Sequence, residues 1–343
     1  MLFRSFKVVW SKTKECYVVV SEVAKNNGGK KKVLASVLAG LAMVGAGAIG
    51  TPVQANVDLG NSAVNISPNG TYNGSNSVGV NSVVVGYQNT TDNNDGTLAY
   101  GANNNVKGNS AFAIGNNNKA DGGNAYAMGN TAEAKGTATL AFGNQAKALA
   151  DYTVAVGSGA QATANNAVAI GRVNKATNLS AVALGVNNKA EGQDSTAVGS
   201  GNTVKGDQAS AFGRENVIDA ASVAGATAVG YKNKASGDRA IAIGEANDSQ
   251  VEDTITMGHK NTASVGGGIA IGQNNVANSG GNAGNTMIAI GRDNEATALD
   301  TVAIGRKTKA TANTAVALGA RSEASGSGSV AIGGNGDGYK TTS

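Results

Sequence analysis

The chain has 343 residues, of which 50 are Gly, with a single Cys, a single His, 4% aromatic residues and a formal net charge of +4. One thiol excludes an intrachain disulfide framework, and one thiol with one imidazole is too few for a zinc site of Cys and His ligands. So few large side chains leave little with which to fill an ordinary globular core.

Residues 1–55 read as an export segment to be set apart from the fold. They hold eight of the 27 basic residues, the only Cys (Cys16) and the only Trp (Trp10). Lys30-Lys31-Lys32 precede an apolar run from Val33 to Ile49, and Val53-Gln54-Ala55 then supplies small residues for a signal peptidase, which places cleavage between Ala55 and Asn56. The competing reading is a membrane anchor, because 17 apolar or small residues lie at the lower limit for spanning; the four glycines and the cleavage-like end favour a removed signal. Phe6-Lys7-Val8-Val9-Trp10-Ser11, Glu15-Cys16 and Val20-Ser21-Glu22 resemble the extended signal peptide region of type V secretion proteins. That resemblance implies export across the inner membrane of a Gram-negative-type cell.

Without this segment the charge reading changes, since 19 basic residues then stand against 21 acidic ones, a formal charge of −2. The basic residues are scattered about one per repeat, with no face or arm to neutralise phosphates, which argues against nucleic acid as a partner. With no Cys left, backbone hydrogen bonds must hold the chain together.

Residues 56–81 lack the regular period of the downstream chain and carry turn formers, Ser67-Pro68-Asn69-Gly70 and Asn73-Gly74. They are expected to be an N-terminal cap, because Pro and Asn discourage pairing at an exposed sheet edge.

Residues 82–333 are a repeat. Each unit closes on a glycine: Gly86, Gly101, Gly115, Gly129, Gly143, Gly157, Gly171, Gly185, Gly199, Gly213, Gly230, Gly244, Gly258, Gly272, Gly291, Gly305, Gly319 and Gly333. Of the 17 intervals, 14 are 14 residues long and the others are 15, 17 and 19. A fixed period over so long a stretch marks a repeat architecture. Two residues before the glycine stands Ala in 16 of 18 units, flanked mostly by Val, Ile, Leu, Phe, Tyr or Met, an alternation of period two that predicts a strand. Four strand residues, a turn, a second short run such as Asn174-Lys175-Ala176 and another turn fill 14 residues, so each unit is one coil of an all-β solenoid with these glycines as its structural turns.

Three residues after the glycine Asn recurs, as in Asn174, Asn188, Asn202, Asn216, Asn233, Asn247, Asn261 and Asn275. Stacked at one level, these residues could form an amide ladder or supply turn geometry. Two positions further on a row of Ala, including Ala120, Ala134, Ala148, Ala176 and Ala310, points to a narrow interior. Both faces of a strand such as Val302-Ala303-Ile304 are apolar, while a thin roll encloses only one, so a neighbouring chain is expected on the other. A row of Ala over many coils would let that neighbour approach closely.

Asn313-Thr314-Ala315-Val316-Ala317-Leu318-Gly319 and Ala240-Ile241-Ala242-Ile243-Gly244 resemble the head repeat of YadA-like trimeric autotransporter adhesins, and the resemblance covers residues 82–333. It implies a left-handed parallel β-roll, a homotrimeric head, and display on a stalk and outer-membrane anchor at the cell surface. It also implies attachment to host cells, extracellular-matrix proteins or other microbes. Asn often stands where the family repeat has Ser. Residues 334–343 are expected to open a downstream segment, with stalk and anchor not contained in the chain.

Chemistry is nearly absent. His259 follows Gly258 with no second ligand nearby in sequence, and no Gly-Lys-Ser/Thr follows the Gly-Asn-Asn turns. Gly333-Gly334-Asn335-Gly336-Asp337-Gly338 comes near a calcium nonapeptide, but its Asp is one place early and the motif occurs once. No catalytic, cofactor or metal residue is expected, and a spacer of a surface fibre stands as the alternative to an adhesin.

Overall fold

A computed structural model describes residues 6–11, 16–21 and 64–66, residues 81–334 apart from 93, 220 and 279–285, and residues 340–341. The expected cleavage point at Ala55 and Asn56, most of the expected cap and most of the insertion after Ala277, which lengthens the interval from Gly272 to Gly291 to 19 residues, lie outside the described residues. The chain forms two units, divided between Pro52 and Val53.

In the first unit, strands Phe6–Ser11 and Cys16–Ser21 pair antiparallel, with Phe6 opposite Ser21 and Ser11 opposite Cys16. Val8, Val9, Val18, Val19 and Val20 give both strands the β-branched residues that suit a pleated surface.

The second unit is a parallel β-solenoid. Each coil contributes one long strand, such as Val168–Arg172, and one short strand, such as Lys175–Ala176. Long strands pair in register from coil to coil, Val168 with Val182, Ala169 with Ala183 and Gly171 with Gly185, and this sheet runs from Val64–Ile66 to Val330–Ile332. The short strands build a second parallel sheet, from Thr90–Thr91 to Lys340–Thr341. The strand at Val64–Ile66 pairs with Val83–Val85, so part of the stretch expected to act as a cap adds one strand to the long-strand sheet.

Four residues of a regular coil point inward. In the coil of Gly171 they are Ala167, Ala169, Asn174 and Ala176, all fully buried. The Ala of the long strand is therefore interior, which corrects the expectation that a row of Ala lets a neighbouring chain approach. Most interior positions hold a methyl group, with Asn at the ladder level and Val106, Val204, Ile218 or Met287 at a few places, while the larger residues on either side of that Ala, Val168 and Ile170, turn outward. Methyl groups bury little area each, so apolar burial per coil is small, and hydrogen bonding between coils carries correspondingly more of the fold.

That bonding runs round the corners as well as along the strands. Val168 N–H donates to Ala181 O and Lys175 N–H to Asn188 O, in the next coil, while Val173 N–H and Ser180 N–H donate back to Ser158 O and Asn165 O. Val173 and Ser180 both hold positive φ, 59° and 53°, and this left-handed position recurs about every seven residues along the solenoid. Each coil is thus two half-coils, each bent at one left-handed residue. Even β-branched Thr131 and Thr314 occupy it, at 56° and 58°, a conformation that costs roughly 1–2 kcal/mol for an ordinary residue.

All eighteen turn glycines have positive φ, from 106° at Gly319 to 149° at Gly305. At Gly171 (φ 115°) a second reason is visible: a Cβ there would overlap the carbonyl of Gly185 in the next coil. Glycine is required because the stacked backbone occupies the space of a side chain.

The Asn residues form a buried ladder. Asn188 Nδ2 donates to Leu184 O at 2.8 Å and to Gly199 O of the next coil at 2.7 Å, while its N–H reaches Asn174 Oδ1 at 2.8 Å. Turn geometry belongs to the preceding residue, Asn187 (φ 55°), and not to the ladder Asn. Wherever Asn fills this level, five residues of the long strand pair with the next coil, as from Val168 to Arg172. Where Ala132, Ala146, Ala160, Thr308 or Ser322 fills it, only three pair. The amide holds the glycine-corner carbonyls in line, and without it the ladder stops before the corner.

Candidate functional surface

The outward face of the long-strand sheet carries two rows, the residues three and one before each turn glycine, which are apolar except at Thr196, Ser210 and Thr227 in three successive coils. Val168 and Ile170, Ile241 and Ile243, Ile288 and Ile290 are examples. Tyr100 is 55% exposed and Phe142 50%, with Ile170, Phe212, Met257 and Ile304 near 40%. Eighteen coils at about 4.8 Å each carry this band over roughly 80 Å. An exposed apolar surface of that extent marks an interaction site.

The face of the short-strand sheet is polar. Lys119, Glu133, Lys147, Gln161, Lys175 and Lys189 point outward from successive strands, each beside a buried Ala. A shallow cleft of about 440 Å³ lies among Asn117, Lys119, Thr131, Glu133, Gln145 and Lys147.

The two corners differ in charge. The glycine corner holds Arg172, Arg214, Lys232, Lys260, Arg292, Arg306, Lys307 and Arg321 against Glu215, Glu245 and Asp293. Among the described residues, the opposite corner holds Asp95, Asp151, Asp194, Asp207, Asp238, Glu252, Asp253 and Asp300 against Arg239 alone. Several of these acids also tie adjacent coils together, since Asp151, Asp207 and Asp238 accept the backbone N–H of Thr137, Gln193 and Ala224 in the preceding coil. Numbering the residues by position within the coil would have shown this partition from sequence, whereas the chain-wide charge balance hides it.

Two local clusters stand out. Arg214 and Lys232 each lie 5.0 Å from the Tyr231 ring centre, and Arg214 Nε meets Glu215 Oε1 at 2.9 Å. The Arg214 hydrogen bond holds the Glu215 carboxyl below the ordinary carboxylate range, and the Tyr231 hydroxyl pulls the Lys232 ammonium upward. At the other corner Arg239 forks onto Asp253 with contacts of 2.6 and 2.8 Å, lowering that carboxyl in the same way.

His259 closes the strand Ile255–His259, between Glu245 and Gln273 of the adjacent coils. Among the described residues no three His, Cys, Asp or Glu side chains gather to hold a metal ion. Beside the Asn ladder, the described interior holds a hydroxyl pair unforeseen in the sequence: Thr256, which stands where most coils have Ala, meets Ser249 at 2.7 Å, and Ser249 also bonds Ile241 O. Two departures from the repeat thus satisfy one another across the thickness of the roll.

Residues 4–50 match the model of the extended signal peptide of the type V secretion system. Eight segments match the YadA head domain repeat: 120–146, 134–160, 148–174, 176–202, 190–216, 224–244, 288–308 and 310–335. The chain belongs to the YadA-like trimeric autotransporter adhesins. No curated protein matches it significantly. The YadA-like coils extend beyond the matched segments, since the turns at Gly86, Gly101 and Gly272 have φ of 113°, 117° and 120°, like those within them. Within 245–287, where the family model finds no match, lie the Ser249–Thr256 pair, His259 and the longest insertion.

Proposed function

We propose that three copies of this chain bury their outward apolar faces against one another and form a left-handed, homotrimeric adhesin head. The head follows a signal removed between Ala55 and Asn56, begins with a cap over residues 56–81, and leads after Gly333 into a stalk and an outer-membrane anchor. The observation that carries this reading is the apolar band along the long-strand sheet, opposite a polar and charged short-strand face. Corner charge supports it. Around a threefold axis each contact is heterologous, so the basic glycine corner of one copy meets the acidic opposite corner of the next.

Function then lies in the surfaces left outside: the short-strand faces, the corners and the insertions after Asp219 and Ala277. No cofactor is needed, and the head acts by binding host cells, matrix proteins or other microbes. Three copies of each weak site favour immobilised ligands through avidity. The test is display of the full-length protein on a non-adherent bacterium, with retention measured on host cells, on collagen or fibronectin coats and on partner bacteria. A variant lacking residues 86–333 should lose retention on at least one surface. Equal retention by both on every surface would make the roll a spacer.

A further inference from the structure

The outward row of the short-strand sheet is self-complementary when reversed. Near its N-terminal end three successive coils present Lys119, Glu133 and Lys147. Near its C-terminal end three successive coils present Glu295, Lys309 and Glu323, the opposite sign at each place. The two triads are equidistant from Val217: Lys119 lies seven short strands before it and Glu323 seven after, and Lys147 and Glu295 lie five away on either side. Lys189 and Asp248 sit two strands before and two after.

We infer that this face docks antiparallel onto the same face of a second copy, about a twofold axis at Val217. An axis normal to the contact plane would leave both faces pointing the same way, whereas one lying in that plane and perpendicular to the stack keeps row opposite row and reverses its order. Lys119 then faces Glu323, Glu133 faces Lys309, Lys147 faces Glu295 and Lys189 faces Asp248, while Val217 meets itself. The remaining places of this row pair a charge with a neutral residue or two neutral residues. On the neighbouring row Asp219 also meets its own copy, and Lys234, 3.5 Å away in the same chain, offsets it.

The register is specific. A shift of one coil sets Lys119 against Lys309 in one direction and Glu133 against Glu323 in the other, and parallel in-register contact sets every charge against its own copy. Alternation within a triad already serves the single chain, as in the 3.0 Å contact of Lys309 with Glu295, because opposite charges on adjacent strands stabilise a sheet. That need does not fix the phase of the triads or their equal distance from Val217. Nor does it account for Lys175 beside Lys189 on adjacent strands, a like-charge pair that costs the chain stability and meets Thr262 and Asp248 in the docked register.

The docking face is opposite the apolar band, so the inference holds for one copy or three and does not rest on trimerisation. Two rods anchored on facing surfaces overlap in this antiparallel sense, which gives the head homotypic contact between cells.

The experiment uses the full chain with Cys16→Ser. Light scattering at low ionic strength should show self-association. Reversing one triad (Glu295→Lys, Lys309→Glu, Glu323→Lys) should weaken it at least about tenfold, as should reversing the other (Lys119→Glu, Glu133→Lys, Lys147→Glu), because like charges then face each other. An equimolar mixture of the two variants restores every opposite pair and should recover association to within about twofold of the parent. Val217→Cys should form an intermolecular disulfide much faster than Thr203→Cys, which faces Lys234. Failure of the parent to associate, insensitivity to either reversal, no recovery on mixing, or equal cross-linking at 203 and 217 would each overturn the inference and leave the trimer reading standing.

Discussion

At the scale of single residues, the solenoid distinguishes glycines by what the neighbouring coil places beside them. Gly171→Ala places a Cβ on the backbone of the next coil at φ 115°, and is expected to cost about 3 kcal/mol in urea denaturation from strain and overlap together. Gly123→Ala meets nothing nearer than Asn109 O at 3.9 Å, so the same measurement should find it neutral or stabilising by a few tenths of a kcal/mol. The turn glycines were legible because their period is. The left-handed corner residues were not, since Val173, Ser180 and Tyr152 share no side-chain chemistry that marks a bend. Backbone hydrogen bonds between coils impose that conformation on whatever residue falls there. At the exposed corner, the Asp253 carboxyl is depressed by Arg239, so the ion pair contributes only above the folded carboxyl's titration and is lost as pH falls through it. Arg239→Ala should move that titration back up towards an ordinary Asp value, observed by NMR.

At the scale of the coil, the ladder Asn decides how much of the long strand pairs. Asn188→Ala leaves Leu184 O and Gly199 O without their amide and is expected to cost about 1–3 kcal/mol. Hydrogen exchange should show that local protection falls at Gly199 and Ser200, which pair in register with Gly185 and Val186. Ala146→Asn should do the reverse at Gly157. The residue pattern allowed both an amide ladder and a turn at these positions, and burial decides for the ladder. The Ser249–Thr256 bond needed spatial information, because the two residues are seven apart in sequence and belong to different sheets. Ser249→Ala and Thr256→Ala should each destabilise by about 1 kcal/mol, and the double variant by less than the sum.

At the scale of the whole molecule, the period and strand alternation made the solenoid legible, but they left open which apolar face was enclosed. Burial settled it: the Ala of the long strand, as at Ala169, is enclosed between the sheets, and the branched residues on either side of it, Val168 and Ile170, face outward. Lysine at Ile170 and Leu184 together should therefore leave the fold intact, as judged by circular dichroism, and on the trimer reading proposed above sedimentation should show that association is lost. Lysine at Ala169 should instead unfold the coil, because the charge would enter a space with no partner for it.

The uniform interior has a consequence for how a coil finds its place. Nearly every coil offers its neighbours the same methyl groups, so skipping one coil during folding would sacrifice little contact energy and the stack carries almost no address. The few irregular coils supply it: the run without ladder Asn at Ala132, Ala146 and Ala160, the hydroxyl pair of Ser249 and Thr256, and Ile218 beside Gly206. Each fits only its own neighbours. They serve as index marks on an otherwise unnumbered ruler, and making them uniform with the rest should yield chains that fold to the same cross-section with coils out of count.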